Sequence, residues 1–371
     1  MPTRNLHIAH VVEAWNGGVG TIVDTLMRGQ IAGGQQVSLL YDPAKAVLNF
    51  DAAAYRDRGI SLHPYRSSRN PLAILGCALR IRTILRDARP DIIHLHSSFA
   101  GVYGRVFKPC GNVIYCPHGW GFAQEDNRFK RAVYALIERS LAVRGDGILC
   151  VSAPEKRSAI AVGIAPDTLH VVPNGVRDAI DGPPAIVPNP DKLNLLFIGR
   201  DDRKKGFDLL YNFMQTQAPP HLHLYVIGDH TGYADRANVT FAGWVGPDRV
   251  DSYIKAADCL IAPSRYEAFG LTVLEAFRNG VPAIVSHHTA MADLVDTGES
   301  GFLVDIDDFP PSLNAILNDL SRERLRDTGA KARKVYEQHY TAAHMIEKTQ
   351  SLYHHICHPE RATEGSDPFA A

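Results

Sequence analysis

The chain has 371 residues, 45% of them hydrophobic and 21% charged, an ordinary globular balance with enough length for two domains. No apolar run approaches the roughly 18 residues a helical membrane span needs, and the N-terminus enters a strand-like run without a cleavable signal segment. Six scattered cysteines without a CxxC pair argue against a zinc site or a disulfide framework and for a reducing cytoplasm. The net charge of −1 conceals an asymmetry: residues 1–175 carry +7 and the remainder −8. A basic half suits an anionic surface, whether a bilayer, a phosphorylated molecule or nucleic acid; two ordinary solvated surfaces explain it equally well.

Short apolar runs alternate with amphipathic stretches, the pattern of parallel strands joined by crossover helices. In the first half, strands are expected at 6–12, 36–41, 92–96, 113–116, 147–151 and 169–172, with helices at 21–32, 71–87 and 129–143. Residues 178–191, rich in Pro, Gly and Asp, sustain neither helix nor interior strand and read as a linker. A second series follows, with strands at 193–198, 223–227, 239–242, 259–262, 283–286 and 301–304 and helices near 206–217, 250–256 and 272–279. One long helical region, 313–339, and a last helix, 341–356, precede a tail without apolar periodicity, expected to be disordered. The expected organisation is a first domain at 1–177, a linker at 178–192, a second domain at 193–340, a helix at 341–356 returning to the first domain, and the tail at 357–371.

The most informative segment is SRYEAFGLTVLEAFRNGVP, Ser264 to Pro282. It follows an apolar strand, Gly270 permits a tight turn, and a helix then begins whose free N–H groups suit a phosphate. The amides of Phe269, Gly270 and Leu271 are therefore phosphate or sugar ligand candidates, with Ser264 flanking them. Glu267 lies just before the helix and Glu275 about one turn inside it, so two carboxylates can reach different hydroxyls of one ligand. Separately, each would read as a helix cap or a surface glutamate. In FIGRDDRKKGFDLL, Arg200 and Lys205 emerge at a strand–helix junction, where fixed cations suit a diphosphate. Near the N-terminus, VVEAWNGGVG brings the amides of Gly17 and Gly18 to a strand–glycine–helix junction, which serves either close approach to a phosphate or simply a tight connection.

The run from Glu267 to Glu275 resembles the E-x7-E signature of retaining glycosyltransferases of family 4, which have the GT-B fold: two doubly wound α/β, Rossmann-like domains facing across a cleft. The likeness extends from the Gly17 loop to about Asp305. It implies that Glu267 contacts the transferred sugar, that Glu275 holds the ribose hydroxyls, and that Arg200 and Lys205 bind the diphosphate. It sets Gly18 and its neighbour Gly17 against the donor phosphate and His118, in a Pro-His-Gly turn, beside the reacting sugar carbon. His94 and His96, part of an Asp-x-x-His-x-His element, fall with Trp120 on the acceptor side. Trp244 lies in the loop that cups the nucleobase, where it either stacks on the base or belongs to the core.

By this resemblance the donor is a nucleotide-diphosphate sugar, with UDP or GDP as carrier, and the leaving phosphate takes the acceptor proton in a front-face transfer. No cofactor is expected, and no divalent metal where Arg200, Lys205 and a helix terminus already supply positive charge. HSSFAGVYGR, PHGWGF and ERSLA look like enzymes that build capsular, exopolysaccharide or O-antigen repeats on a polyprenyl diphosphate, so a glycan or lipid-linked acceptor is expected and nucleic acid is not. Residues 70–89 alternate apolar positions with Arg80, Arg82, Arg86 and Arg89, compatible with a cytoplasmic bilayer surface or with a packed surface helix. An epimerase of like architecture, or a non-catalytic nucleotide-sugar-binding subunit, is the alternative; retention of every charged motif residue speaks against the second.

Overall fold

The computed structural model describes residues 5–15, 17–46, 50–107, 111–180, 182–184 and 189–358, except the side chains at 247 and 248. Cys110, part of the 178–192 linker and the tail beyond residue 358 lie outside the described residues. The chain forms two compact units: residues 1–174 together with 342–371, and residues 175–341.

The first unit runs β1 (His7–Val12), α1 (Gly17–Ala32), β2 (Gln36–Tyr41), α2 (Ala52–Asp57), β3 (Ser61–Pro64), α3 (Pro71–Ala88), β4 (Ile92–His96), α4 (Ser98–Arg105), β5 (Asn112–Cys116), α5 (Arg128–Ala142), β6 (Gly147–Cys150), α6 (Ala153–Ala161) and β7 (Leu169–Val171). The seven strands are parallel, in the order β3-β2-β1-β4-β5-β6-β7. Both sheet faces are covered, so the strands are almost wholly buried and mainly apolar, with histidines at His10, His94 and His96. On one face Val11, Ile93, Leu95 and Tyr115 pack against Ile81 and Leu85 of α3, Tyr103 of α4 and Ala142 of α5. On the other, Val12, Val37 and Leu39 pack against Val23 and Met27 of α1.

The second unit runs β8 (Leu193–Ile198), α7 (Phe207–Thr216), β9 (Leu222–Ile227), β10 (Val239–Gly243), α8 (Pro247–Ile254), β11 (Cys259–Ala262), α9 (Leu271–Arg278), β12 (Ala283–Ser286), β13 (Gly301–Val304), α10 (Phe309–Asn318) and α11 (Arg322–His339). Its six parallel strands are ordered β10-β9-β8-β11-β12-β13 around a core of Leu195, Phe197, Phe213, Leu224, Ile261 and Ile284. The final helix, α12 (Ala342–Cys357), belongs to the first unit: it lies on α1, where a Cβ on Gly29 would stand 2.3 Å from Ile346 Cδ1.

In each sheet the strand order reverses once, between β1 and β4 and between β8 and β11. Open parallel sheets bind ligands at such switch points, beyond the carboxyl ends of the strands. The expected fold class is the one observed, two doubly wound parallel sheets, although several elements differ locally. α1 begins at Gly17, so Gly17 and Gly18 form its first turn and not a preceding loop. The region 313–339 is two helices: α10 stops at Asn318, and Ser321, accepting from Arg324 N–H, caps α11. α8 starts earlier, at Pro247, which favours the first helical position because it has no N–H to satisfy. The short elements α2, β3 and α4 carry too few residues to show a period in sequence.

Candidate functional site

The carboxyl ends of β8 and β11 converge on one constellation in the second unit. After β11, Ser264 is buried and the chain passes through Glu267 to Gly270, the residue before α9. Gly270 has φ 111°, and a Cβ there would lie 2.5 Å from Met291 Cγ, so the turn requires glycine. No side chain caps α9, and its first amides point out of the helix end beside Glu267, an anion-favouring arrangement. Phe269 is buried against Tyr340, which fixes the loop from below, and Ala290 N–H donates to Glu267 O at 3.3 Å.

The β8 loop meets this one directly. Lys205 Nζ lies 2.5 Å from Glu267 Oε2, with the two side chains 28% and 23% exposed. Arg265 stitches the loops: its guanidinium donates to both oxygens of Asp208 at 2.7 and 2.8 Å and to Arg203 O at 2.8 Å, while its N–H reaches Lys204 O at 2.7 Å. The fork holds the Asp208 carboxyl below its ordinary range. Gly206, at φ 71°, makes this approach feasible, because a Cβ there would sit 1.9 Å from Pro263 O. Arg200 is exposed on the same loop, after Gly199, whose carbonyl accepts from His230 at 3.0 Å.

Glu275 lies half-buried one turn into α9, and burial pushes its carboxyl up to about 6 against the pull of Arg278. Among the described residues its carboxylate has no hydrogen-bond partner, whereas neighbouring Asp251 is held by Arg278 and Asn279 at 2.8 and 2.6 Å. A desolvated, unengaged carboxylate at a helix end is suited to receive hydroxyl donors. Trp244, in the loop after β10, is 58% exposed and therefore outside the core.

In the first unit, the switch point is built from histidines. His10 on β1 and His94 on β4 are in register, and His96 follows on the same face. Gln30 Oε1 accepts from His10 Nε2 at 2.8 Å, His10 Nδ1 meets His96 Nε2 at 2.9 Å, and His96 Nδ1 meets His118 Nε2 at 3.0 Å. Since Gln30 Oε1 can only accept, the chain is satisfied when every ring carries its proton on Nε2, leaving His118 Nδ1 as an acceptor. Burial lowers His10 and His118 to about 4 and pushes His96 between them, and His94 beside them, well below 6.5, so the chain is neutral near pH 7. His94 Nδ1 pairs at 2.6 Å with the hydroxyl of Tyr353 on α12.

His118 adopts φ 50°, a strained conformation for a side-chain-bearing residue, as does Ser97 (φ 69°) at the end of β4. Glu155 secures the first: its oxygens accept from Gly119 N–H and Val151 N–H, each at 2.6 Å. Glu155, His10, Gln30, Tyr353 and Arg265 had not stood out in the sequence as site residues. The Ser152-Ala-Pro-Glu155 spacing, a capping-box pattern, was the one available signal for Glu155.

The structure thus brings Arg200, Lys205, Ser264, Glu267, Phe269, Gly270, Leu271 and Glu275 to one switch point, and His94, His96 and His118 to the other. Gly17 and Gly18 are exposed beyond β1. His94, His96 and Trp120 present almost no surface, at 1%, 0% and 1% exposure, so they act by support from within the first unit. Trp120 packs on Phe122 and donates Nε1–H to Glu155 O at 2.9 Å. Nitrogens of His10, His94 and His96 lie within 4.8 Å of one another, as do ligand-type atoms of His287, His288 and Asp305. In the first group, two of these nitrogens are already bonded to each other.

Two parallel doubly wound sheets, each with one switch point, are the architecture expected of the GT-B fold. Residues 16–179 match the model of Glycosyltransferase Family 4, and 192–322 that of Glycosyl transferases group 1. A 41.2 kDa uncharacterized protein from the cps region of Klebsiella pneumoniae is 30% identical over 329 residues, covering 82% of this chain and 87% of that one. The UDP-Gal:alpha-D-GlcNAc-diphosphoundecaprenol alpha-1,3-galactosyltransferase of Escherichia coli is 24% identical, covering 73% and 76%. Among solved structures, Anabaena HepE in complex with UDP and glucose superimposes with a TM-score of 0.74 at 16% identity, over 94% of this chain and 99% of that one. The protein belongs to glycosyltransferase family 4.

Proposed function

We propose that this glycosyltransferase is a retaining hexosyltransferase that takes its sugar from a nucleoside diphosphate, UDP before GDP, and adds it to a glycan or polyprenyl-diphosphate-linked acceptor in cell-surface polysaccharide synthesis. The single observation carrying the donor assignment is the Lys205–Glu267 pair beside the uncapped end of α9, with Glu275 unengaged one turn away. A diphosphate arriving there meets Lys205, Arg200 and the amides of Gly270 and Leu271, while the ribose diol donates to Glu275 and the sugar to Glu267. Trp244 offers an exposed ring for the base. The galactosyltransferase relative and the UDP-bound structural neighbour support UDP and a lipid-linked acceptor.

His118, in the first unit, keeps Nδ1 unprotonated and so able to accept a hydroxyl. As the C–O bond to the donor phosphate breaks, Lys205 and Arg200 stabilise the charge developing on the leaving oxygen. That oxygen takes the acceptor proton, so no separate base is needed, and attack on the face that the diphosphate leaves retains configuration. Thermal unfolding with UDP, GDP, dTDP and ADP at millimolar concentration tests the donor reading. One base, then one of its sugars, raises the midpoint; no response to any of the four overturns it.

A further inference from the structure

Twelve large hydrophobic side chains are exposed among the described residues, and nine of them lie on α3, on α5 or at the end of α5. Leu72, Leu75 and Leu79 are 89%, 52% and 50% exposed; on α5, Phe129 is 77% and Leu136 64% exposed, and Val143, just beyond the helix, 85%. This is no random scatter. Both helices pack on the same sheet face, so their outer sides share one layer of the first unit.

α5 has a defined orientation. Glu138, on its inner side, is buried at 2.8 Å from Arg105 of α4 and at 2.9 Å from the Tyr115 hydroxyl, and Leu141 and Ala142 are buried beside it. At about 100° per residue the opposite side carries Phe129, Val133, Leu136 and Ile137 as one stripe, with Arg128 and Arg139 along one border and Lys130 along the other. Arg131 is exposed too, and the one carboxylate of the helix is the buried Glu138. On α3 the apolar stripe continues into exposed Arg80, Arg82 and Arg86.

We infer that the outer faces of α5 and α3 form a docking surface for an anionic lipid bilayer, with α5 lying in the headgroup plane. An apolar stripe bordered by cations on a convex helix is what such a surface needs: side chains enter the acyl boundary while arginines and lysines meet headgroup phosphates. A second copy of the chain is disfavoured on charge, since self-pairing of this face sets arginine against arginine. The inference deepens the lipid-linked-acceptor reading and rests on it for purpose alone; the binding stands on the surface itself. It also gives the basic first half of the chain a partner.

The test is flotation of the full-length protein with vesicles of phosphatidylcholine alone or with 30% phosphatidylglycerol, in low and high salt. Bound protein rises with phosphatidylglycerol and falls with salt, and Phe129→Ser with Leu136→Ser reduces partitioning on the order of tenfold or more. Both positions are exposed, so unfolding and the nucleotide-induced thermal shift remain as in the wild type, which separates this outcome from failure of the donor site. Three results overturn the inference: no flotation of wild type, equal flotation of the double variant, or a wild-type dimer that the double variant converts to monomer.

Discussion

Replacing Lys205 by Met separates a structural role from a ligand-binding one by magnitude. Among the described residues Lys205 pairs with Glu267, and both side chains are about a quarter exposed. A partly solvated pair of this kind contributes about 0–1 kcal/mol to folding, so the variant's unfolding midpoint falls by no more than about 4 °C. Contact with a diphosphate is different, because a charge-assisted hydrogen bond contributes about 1.5–3 kcal/mol, or roughly 10- to 150-fold in affinity. Titration calorimetry with UDP, and with GDP in parallel, therefore finds binding weakened by that factor while thermal unfolding hardly changes. Glu267→Gln supplies the control: it removes a negative charge beside the anion site, so nucleotide affinity stays level or tightens while sugar transfer falls. If Lys205→Met keeps wild-type affinity and instead loses many degrees of stability, the pair is a structural bridge and the diphosphate assignment is wrong.

Glu275 gives a pH signature. Its carboxyl titrates at about 6 and must be ionised to accept ribose hydroxyls, so UDP affinity rises between pH 5 and 7 and then levels off, with about a tenfold deficit at pH 5. In Glu275→Gln that slope disappears. The histidine chain makes a spectroscopic prediction: nitrogen-15 shifts of His118 report Nε2–H with bare Nδ1, unchanged from pH 8 to 5, and His10→Ala introduces the second tautomer. Because these rings resist protonation when folded, the unfolded chain binds more protons below pH about 6.5, and stability declines as pH falls toward 4. Gly206→Ala, whose Cβ would press on the Pro263 carbonyl at a left-handed φ, destabilises by more than about 1 kcal/mol in a denaturant titration, and wild-type stability would contradict the close loop packing.

The features legible in sequence were those with a local cause. Strands buried on both faces read as continuous apolar runs, and Gly270 followed by LTVLEAF announces a turn and a helix without reference to anything distant. The Glu267 and Lys205 positions followed from where strands end, and the structure brings them into contact across 62 residues of sequence. What sequence did not show is long-range pairing. The chain from Gln30 through His10 and His96 to His118 joins a helix, two strands and a turn, and no spacing rule links them. Trp120 was set on the acceptor side by resemblance alone; its burial depends on how α6 packs. The α5 stripe was equally hidden, since an amphipathic pattern does not say which side meets the protein: Glu138 points inward and Phe129 outward, the reverse of their polarity.

The most direct test of the account is a structure of the protein with UDP, or with whichever nucleoside diphosphate stabilises it most. The expected result is phosphate oxygens within hydrogen-bonding distance of Lys205, Arg200 and the first amides of α9, with both ribose hydroxyls on Glu275. A nucleotide bound elsewhere, with Lys205 still joined to Glu267 and Glu275 unengaged, would contradict it.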